Sequence, residues 1–243
     1  MPRSDFQSNY PDCSRWLPNR STETPENGAD LSSTVEFEQK RVQQKIKRAI
    51  DILGSIVILA IVSVPYLIVV LCIMLSMGRP IHYWQPRLGK DGKPFRFYKF
   101  RSMVKNSSTV LKHHLEKNDA ARIEWEEFQK LRHDPRVTRF GHFIRRFSID
   151  ELPQLFNVLN GDMSLVGPRP CMQRQRSLYG KYWSSYCAVR PGITGLWQVS
   201  GRNRLPYSKR VELDVDYVKH WSLWLDLKVL LKTVKVVFRG EGR

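Results

Sequence analysis

I-L-G-S-I-V-I-L-A-I-V-S-V-P-Y-L-I-V-V-L-C-I-M-L-S-M, from Ile52 to Met77, carries no charge. A straight helix needs about 20 apolar residues to cross a bilayer, so the run reads as a membrane segment. It starts too far from Met1 to be a cleaved signal peptide. Pro65, near the middle, removes a backbone hydrogen bond and pushes the preceding turn aside, which predicts a kink or break. Each half is then roughly 20 Å of helix at ~1.5 Å per residue, enough to reach partway into the membrane. Lys40, Arg41, Lys45, Lys47 and Arg48 precede the run. Arg79, Arg87, Lys90, Lys93, Arg96, Lys99, Arg101 and Lys105 follow it, against the single acid Asp91. The positive-inside tendency puts both ends in the cytoplasm, as a re-entrant hairpin would, and a kinked spanning helix satisfies the composition equally well. His82, Tyr83 and Trp84 come where an interfacial aromatic anchor is expected.

Outside this run the chain divides simply. Residues 1–35 are poor in aliphatics and rich in Pro, Ser, Asn and Thr, which reads as a disordered tail. Residues 36–78 are a basic helical lead-in and the membrane element, and residues 79–243 are left for a cytoplasmic domain. The 243 residues, 42% hydrophobic, supply one moderate core. The balance of 40 basic and 23 acidic residues, a net +17, calls for a polyanionic partner: nucleic acid, anionic lipid headgroups or phosphorylated substrates. Cys13, Cys72, Cys171 and Cys187 show no C-x-x-C spacing, which argues against a disulfide framework or a zinc site.

Pro80–Gln85 and Phe95–Arg101 alternate enough for short strands, and Lys90-Asp91-Gly92-Lys93 between them carries the Asp-Gly hairpin signal. The basic side chains of this hairpin suit lipid phosphate, polyprenyl phosphate or a nucleotide. Ser107–Arg132 reads as one polar, charged helix with no chemistry assigned. In R-R-F-S-I-D-E-L-P-Q-L-F-N, Arg145 to Asn157, two adjacent carboxylates follow a doubly basic turn. Ser148 suits the N-cap of a helix whose acidic first turn is Asp150 and Glu151, and capping alone would explain such a pair. D-M-S-L-V-G-P-R-P, Asp162 to Pro170, fixes the backbone around Arg169, which suits bidentate phosphate binding or a buried ion pair. P-G-I-T-G-L-W-Q-V-S-G-R, Pro191 to Arg202, is a Gly-punctuated loop through which backbone N–H groups could approach a diphosphate. The C-terminal helix to Phe238 aligns Leu223, Leu227, Leu230, Val234 and Val237 on one stripe and Lys228, Lys232 and Lys235 on another, which fits the headgroup layer or the domain core.

K-F-R-S-M (Lys99 to Met103), D-P-R-V-T (Asp134 to Thr138), S-I-D-E-L-P-Q-L-F-N (Ser148 to Asn157), S-L-V-G-P-R-P (Ser164 to Pro170) and R-P-G-I-T-G-L-W-Q-V-S-G-R (Arg190 to Arg202) together resemble the bacterial sugar transferase family. These are the monotopic phosphoglycosyl transferases. The likeness runs from about Lys47 to the C-terminus and is strongest to short exopolysaccharide-initiating galactose- or glucose-phosphate transferases. It implies an α+β, membrane-associated fold: a re-entrant helix hairpin, a small, mostly helical cytoplasmic domain with a short β-hairpin, and amphipathic interfacial helices. The family usually places Ser directly before the helix-breaking Pro, whereas Val64 intervenes here between Ser63 and Pro65.

The implied activity is transfer of sugar 1-phosphate from a UDP-sugar to undecaprenyl phosphate, with release of UMP, at the bacterial cytoplasmic membrane. The resemblance makes Asp150 the nucleophile, with Glu151 beside it tuning Asp150 or holding metal. Magnesium is the expected cofactor, on Asp150 and Glu151. Arg169 and Arg145 match phosphate-binding positions, Lys99, Arg101 and Arg202 extend that basic set, and Asp214 matches a family carboxylate in L-D-x-x-Y closed by Tyr217. Lys47, Arg48 and Asp51 match the basic entry to the membrane helix. Anionic lipid is a further expected partner, and a homodimer is compatible with the sequence. The competing class is a membrane-tethered nucleic-acid-binding protein. Against it, no helix-turn-helix, RNP or zinc-finger pattern occurs, and much of the charge lies beside the apolar run, so no nucleic-acid partner is expected.

Overall fold

The computed structural model describes residues 31–128, 131–201 and 205–239. Up to residue 30 the expected tail lies outside the described residues, and helix α1 (Leu31–Ile61) is already formed at Leu31. Helix α2 (Ser63–Met77) follows Val62, whose φ of −92° and ψ of 7° interrupt the helix, and the two helices bend by 64°. The break comes before Pro65 because the proline ring displaces the carbonyl four residues earlier, that of Ile61, and offers it no amide. Ser63 Oγ donates to Ala60 O at 2.8 Å and so occupies one carbonyl of the broken turn. Among the described residues no single helix is long and apolar enough to cross a membrane.

The C-terminal half of α1 is bolted to the domain by the residues that read as its basic entry. Lys47 Nζ donates to Asp226 Oδ2 at 2.6 Å and to Val166 O at 3.0 Å, and Arg48 donates to Val158 O and Leu159 O. Asp51 Oδ1 accepts from Ser164 Oγ and Leu165 N, both at 2.9 Å. Burial pushes the Asp51 carboxyl above its usual range, with the Lys47 charge pulling the other way.

Strands β1 (His82–Leu88) and β2 (Pro94–Phe100) form the expected antiparallel hairpin, His82 opposite Phe100 and Leu88 opposite Pro94. Asp91 takes the left-handed conformation at φ 57°, which Asp tolerates better than most residues. The charged stretch after it forms two helices, α3 (Ser107–Lys117) and α4 (Asp119–Phe128), where the sequence reads as one. Asn118 divides them: its backbone is extended and its Oδ1 accepts from Ala121 N at 3.0 Å, capping the second helix. Thr138 caps α5 (Arg139–Arg146) by accepting from Gly141 N at 2.9 Å.

After a short turn at Ile149–Glu151 come α6 (Gln154–Asn160), β3 (Ser164–Val166), α7 (Arg176–Tyr179), α8 (Trp183–Cys187), β4 (Gly192–Thr194), α9 (Leu196–Val199), α10 (Tyr207–Lys219) and α11 (Leu223–Phe238). β3 and β4 pair in parallel, Ser164 opposite Gly192 and Val166 opposite Thr194. Two of the glycines expected to open a path to a diphosphate, Gly192 and Gly195, pack against backbone. A Cβ on Gly192 would lie 2.1 Å from Gly167 N, and one on Gly195 would lie 2.2 Å from Gly167 O. The amides of Gly167 and Gly192 donate to Thr194 O and Pro168 O, so the glycines serve strand crossing. Arg202 lies outside the described residues.

Three apolar clusters hold the elements. Phe95, Phe97, Leu155, Val158, Met163 and Val229 join the hairpin, α6 and α11. Leu88, Tyr179, Trp183, Tyr186, Val211 and Val215 join β1 to α7, α8 and α10. Val69, Ile73, Phe100 and Ile144, with Ile149 and Leu152 packed on them, set α2 against α5 and the acidic turn. Helix α11 packs on the core through Val229, which is buried, while Trp224, Leu227, Leu231 and Val234 are exposed.

Candidate active site

Ser148 does not cap a helix. It adopts φ 56° and ψ 20°, and its side chain makes no capping bond. Left-handed backbone at a non-glycine residue is costly and concentrates where a chain is turned for function. Here it turns the chain between α5 and a short 3-10 turn, so that Ile149 packs against the α2 cluster and Asp150 enters the domain. Pro153 then starts α6, at φ −61°, where its missing N–H costs nothing.

Asp150 is 5% exposed. Lys99 arrives from β2 on the same strand face as Phe97 and bridges the two carboxylates, 3.2 Å from Asp150 Oδ2 and 2.9 Å from Glu151 Oε1. Arg169 Nη2 lies 3.4 Å from the same Glu151 Oε1. The structure therefore brings together Asp150, Glu151, Lys99 and Arg169, which come from β2, the 3-10 turn and the segment after β3. Arg145 stands just behind: its Nε donates to Ser102 Oγ at 2.8 Å, burial lowers its pKa, and the Asp150 charge offsets part of that shift.

Two other expected site residues lie apart from the pair. Arg101, 6% exposed, donates through Nη2 to Met77 O and Gly78 O, so it closes the C-terminal end of α2. Asp214, 2% exposed, accepts from Tyr179 Oη at 2.7 Å and lies 3.6 Å from Arg210 Nε, behind Arg169 and not on the acidic pair. Burial pushes its carboxyl up to about 6, against the opposing pull of Arg210 and the Tyr179 hydroxyl.

Sequence reasoning missed Arg87 and Arg210. Arg87, counted above among the basic residues near the membrane, turns inward, with its guanidinium 5.3 Å from the Phe97 ring centre, while Lys99 lies 5.6 Å from the same ring. Arg210 and Arg169 share the Trp197 ring at 5.2 and 5.9 Å. The signals were present: Gln85 and Arg87 sit two apart on one strand face, and Arg210 and Asp214 four apart on one helix face.

Only two carboxylates meet at the site, and among the described residues no group of three or more His, Cys, Asp or Glu gathers as a metal cage. Magnesium still fits this donor set, because it is commonly held by one or two carboxylates with substrate phosphates and waters filling its octahedron. Asp150 and Glu151 are the residues that could hold it.

A buried carboxylate pair bridged by lysine and flanked by arginine, on a chain whose residues 42–240 match the model described as bacterial sugar transferase, decides the family. The chain belongs to the bacterial sugar transferase family. It is 51% identical over 203 residues to the undecaprenyl-phosphate galactose phosphotransferase of Salmonella typhimurium, covering 84% of this chain and 42% of that protein. It is 43% identical over 196 residues to the exopolysaccharide production protein ExoY of Sinorhizobium fredii, covering 81% of this chain and 87% of that protein. Over 200 residues it is 42% identical to the undecaprenyl-phosphate glucose phosphotransferase of Komagataeibacter xylinus, covering 78% of this chain and 35% of that protein. The chain thus spans less than half the length of several curated relatives it matches, and its likeness to ExoY spans most of both chains.

Proposed function

We propose that this bacterial sugar transferase moves a sugar 1-phosphate, galactose or glucose, from a UDP-sugar to undecaprenyl phosphate and releases UMP, as an initiating step of exopolysaccharide synthesis. The observation that carries the reading is the Asp150–Glu151 pair, held between Lys99 and Arg169 in a member of this family. The names of the relatives from Salmonella typhimurium and Komagataeibacter xylinus supply the lipid carrier and the two sugars.

Two anionic substrates repel each other, so two displacements through a covalent intermediate separate them in time. An Asp150 carboxylate oxygen attacks the sugar-proximal phosphorus, and the bond from that phosphorus to the bridging oxygen breaks. UMP leaves with the electron pair. An oxygen of the lipid phosphate then attacks the same phosphorus and frees Asp150. Lys99 and Arg169 balance the carboxylates at rest and are placed to take up charge on the transferred group, where fixed donors contribute most. Magnesium bound to Asp150 and Glu151 would supply neutralisation of the diphosphate. The bent α1–α2 pair, with Leu53, Ile61, Leu67 and Leu75 all more than half exposed, supports a re-entrant element in the cytoplasmic membrane and a catalytic domain on the cytoplasmic side.

The test is UMP release by the full chain over a panel of UDP-sugars, with and without undecaprenyl phosphate. Asp150→Asn is expected to abolish release in both, and donor alone is expected to leave an acid-labile mass adduct on the peptide carrying Asp150. Undiminished release by Asp150→Asn, or normal turnover with no adduct, would exclude covalent catalysis at this residue.

A further inference from the structure

The segment around Arg169, G-P-R-P-C from Gly167 to Cys171, is short of backbone donors: prolines at 168 and 170 remove two N–H groups. Such a stretch is fixed chiefly through its carbonyls, which need donors from elsewhere. Four consecutive carbonyls are each held by a group from another element. Pro168 O accepts from Gly192 N at 2.8 Å and Cys171 O from Leu88 N at 3.0 Å. Between them, Arg169 O accepts from Arg210 Nη2 at 2.8 Å and Pro170 O from Arg87 Nη1 at 3.2 Å.

Guanidiniums are costly donors in this place. Burial lowers the Arg87 pKa to about 10, and the charges of Arg169 and Arg210 press it the same way. The Nε atoms of Arg87 and Arg210 are buried without a hydrogen-bond partner. What offsets the cost is a second tier of contacts. Gln85 Oε1 accepts from Arg87 Nη2 at 3.0 Å, and the Asp214 carboxylate, itself bonded by the Tyr179 hydroxyl, lies 3.6 Å from Arg210 Nε. The Trp197 ring lies within cation–π distance of both Arg169 and Arg210. An arginine's planar fork holds a direction better than a lysine's single rotatable ammonium does. The chain thus spends several buried charged groups on the orientation of one backbone unit, and the side chain of that unit is the one flanking Glu151.

We propose that Arg87 and Arg210 are positioning residues, gripping the carbonyls of Arg169 and Pro170 so that the Arg169 guanidinium stays aimed at the acidic pair and ready for the transferred phosphoryl group. Resting on the reading of Asp150 and Arg169 given above, this gives Asp214 and Tyr179 a task at one remove: they hold Arg210, which holds the Arg169 backbone. Neither arginine touches the reacting atoms. Their effect on rate passes through Arg169.

A double-mutant cycle tests that dependence, with UMP release from UDP-galactose, or UDP-glucose where it is the better donor, measured per folded molecule by the full chain with undecaprenyl phosphate. Arg87→Met is expected to lower kcat about tenfold and to shift KM for the donor less than about twofold, since misdirection of a group on the transferred phosphoryl is felt in turnover. Arg87→Lys, which keeps the charge and one donor, is expected to recover most of that loss. In an Arg169→Ala background, Arg87→Met is expected to cost less than about twofold more, because the group it positions is gone. A full tenfold loss in both backgrounds overturns the proposal, as does an unchanged rate per folded molecule in Arg87→Met alone. Should Arg87→Met not fold, the same cycle with Arg87→Gln, whose shorter side chain gives up the bond to Pro170 O, decides on the same criterion. Full turnover by Arg169→Ala would instead strike the reading of Arg169 itself, and that result is distinct from either outcome for Arg87.

Discussion

Lys47→Met tests whether the anchor between α1 and the domain stabilises the fold, and its cost follows from the contacts. Lys47 is 18% exposed at its side chain, and its partner Asp226 is 10% exposed. Removing one member of a buried pair costs about 3 to 5 kcal/mol in general. Asp226 keeps two donors, the Tyr217 hydroxyl at 2.7 Å and Trp221 Nε1 at 3.2 Å, which argues for the lower end. Tyr217 has a single hydroxyl proton, yet it lies 3.1 Å from Val166 O as well, so losing Lys47 leaves one of two buried acceptors unsatisfied. The expected loss is about 3 kcal/mol, read in detergent as a fall of roughly 6 to 12 °C in Tm for a chain of this size. The site also adjoins a cleft of about 340 Å³ lined by Ile50, Leu165, Trp224 and Leu227. An apolar pair therefore suits it, and Lys47→Met with Asp226→Leu is expected to return to within about 1 kcal/mol of the parent. A single variant with unchanged Tm, or a double variant as damaged as the sum of the singles, would refute the reasoning.

Two further outcomes follow from local geometry. Gly192→Ala is expected to cost about 3 kcal/mol or more in thermal unfolding, because its Cβ would meet only backbone, at 2.1 Å from Gly167 N and 2.4 Å from Thr194 O, and backbone cannot step aside. Asp214, pushed up to about 6 by burial from an ordinary 3.8, faces Arg210, Tyr179 and Tyr207. Between those two values the folded protein holds a proton that the unfolded chain has lost. The contribution of this group is therefore full below about pH 4 and is lost as pH rises through 6, a fall of about 3 kcal/mol at ~1.36 kcal/mol per unit. Asp214→Asn is expected to remove that slope from urea unfolding midpoints taken between pH 4 and 7.5, and an identical slope in the variant would refute the assignment.

The sequence made legible those features whose causes are local. Asp91-Gly92 marked the hairpin because a left-handed backbone is needed there, and Pro65 marked the helix break because a proline leaves a carbonyl unbonded wherever it occurs in a helix. The Asp150–Glu151 pair was legible as two adjacent carboxylates, yet Ser148 was misread as a cap, since a left-handed serine and a capping serine have the same letter. The division of α3 from α4 rests on Asn118 alone, one polar residue in a run of polar residues. Gly192 and Gly195 were read as an opening to ligand when their close neighbour is Gly167, distant in sequence. Arg87 was hidden by its surroundings: in a basic hairpin next to an apolar run, one inward arginine looks like the outward ones. Its partner is a carbonyl contributed long after it in the chain, and no local pattern reveals such a contact.

The bend between α1 and α2 and the placement of the acidic pair have a common physical cause. Lys47, Arg48 and Asp51 fix α1 to β3, α6 and α11 on one side of the Val62 break. On the other side Val69 and Ile73 fix α2 to Phe100 and Ile144, and Ile149 and Leu152, which bracket Asp150 and Glu151, pack on that same cluster. Arg101 adds a polar tie from the end of β2 to the last carbonyls of α2. Both helices are therefore docked on one domain at points that a straight helix could not reach together. Pro65 permits the bend by leaving a carbonyl unbonded, and the two docked surfaces set its angle. Arg101 follows directly on the strand that carries Lys99, so the group that bridges the carboxylates and the group that closes α2 are two residues apart in one segment. The placement of the bent α1–α2 pair and that of Asp150 are thereby set by the same contacts.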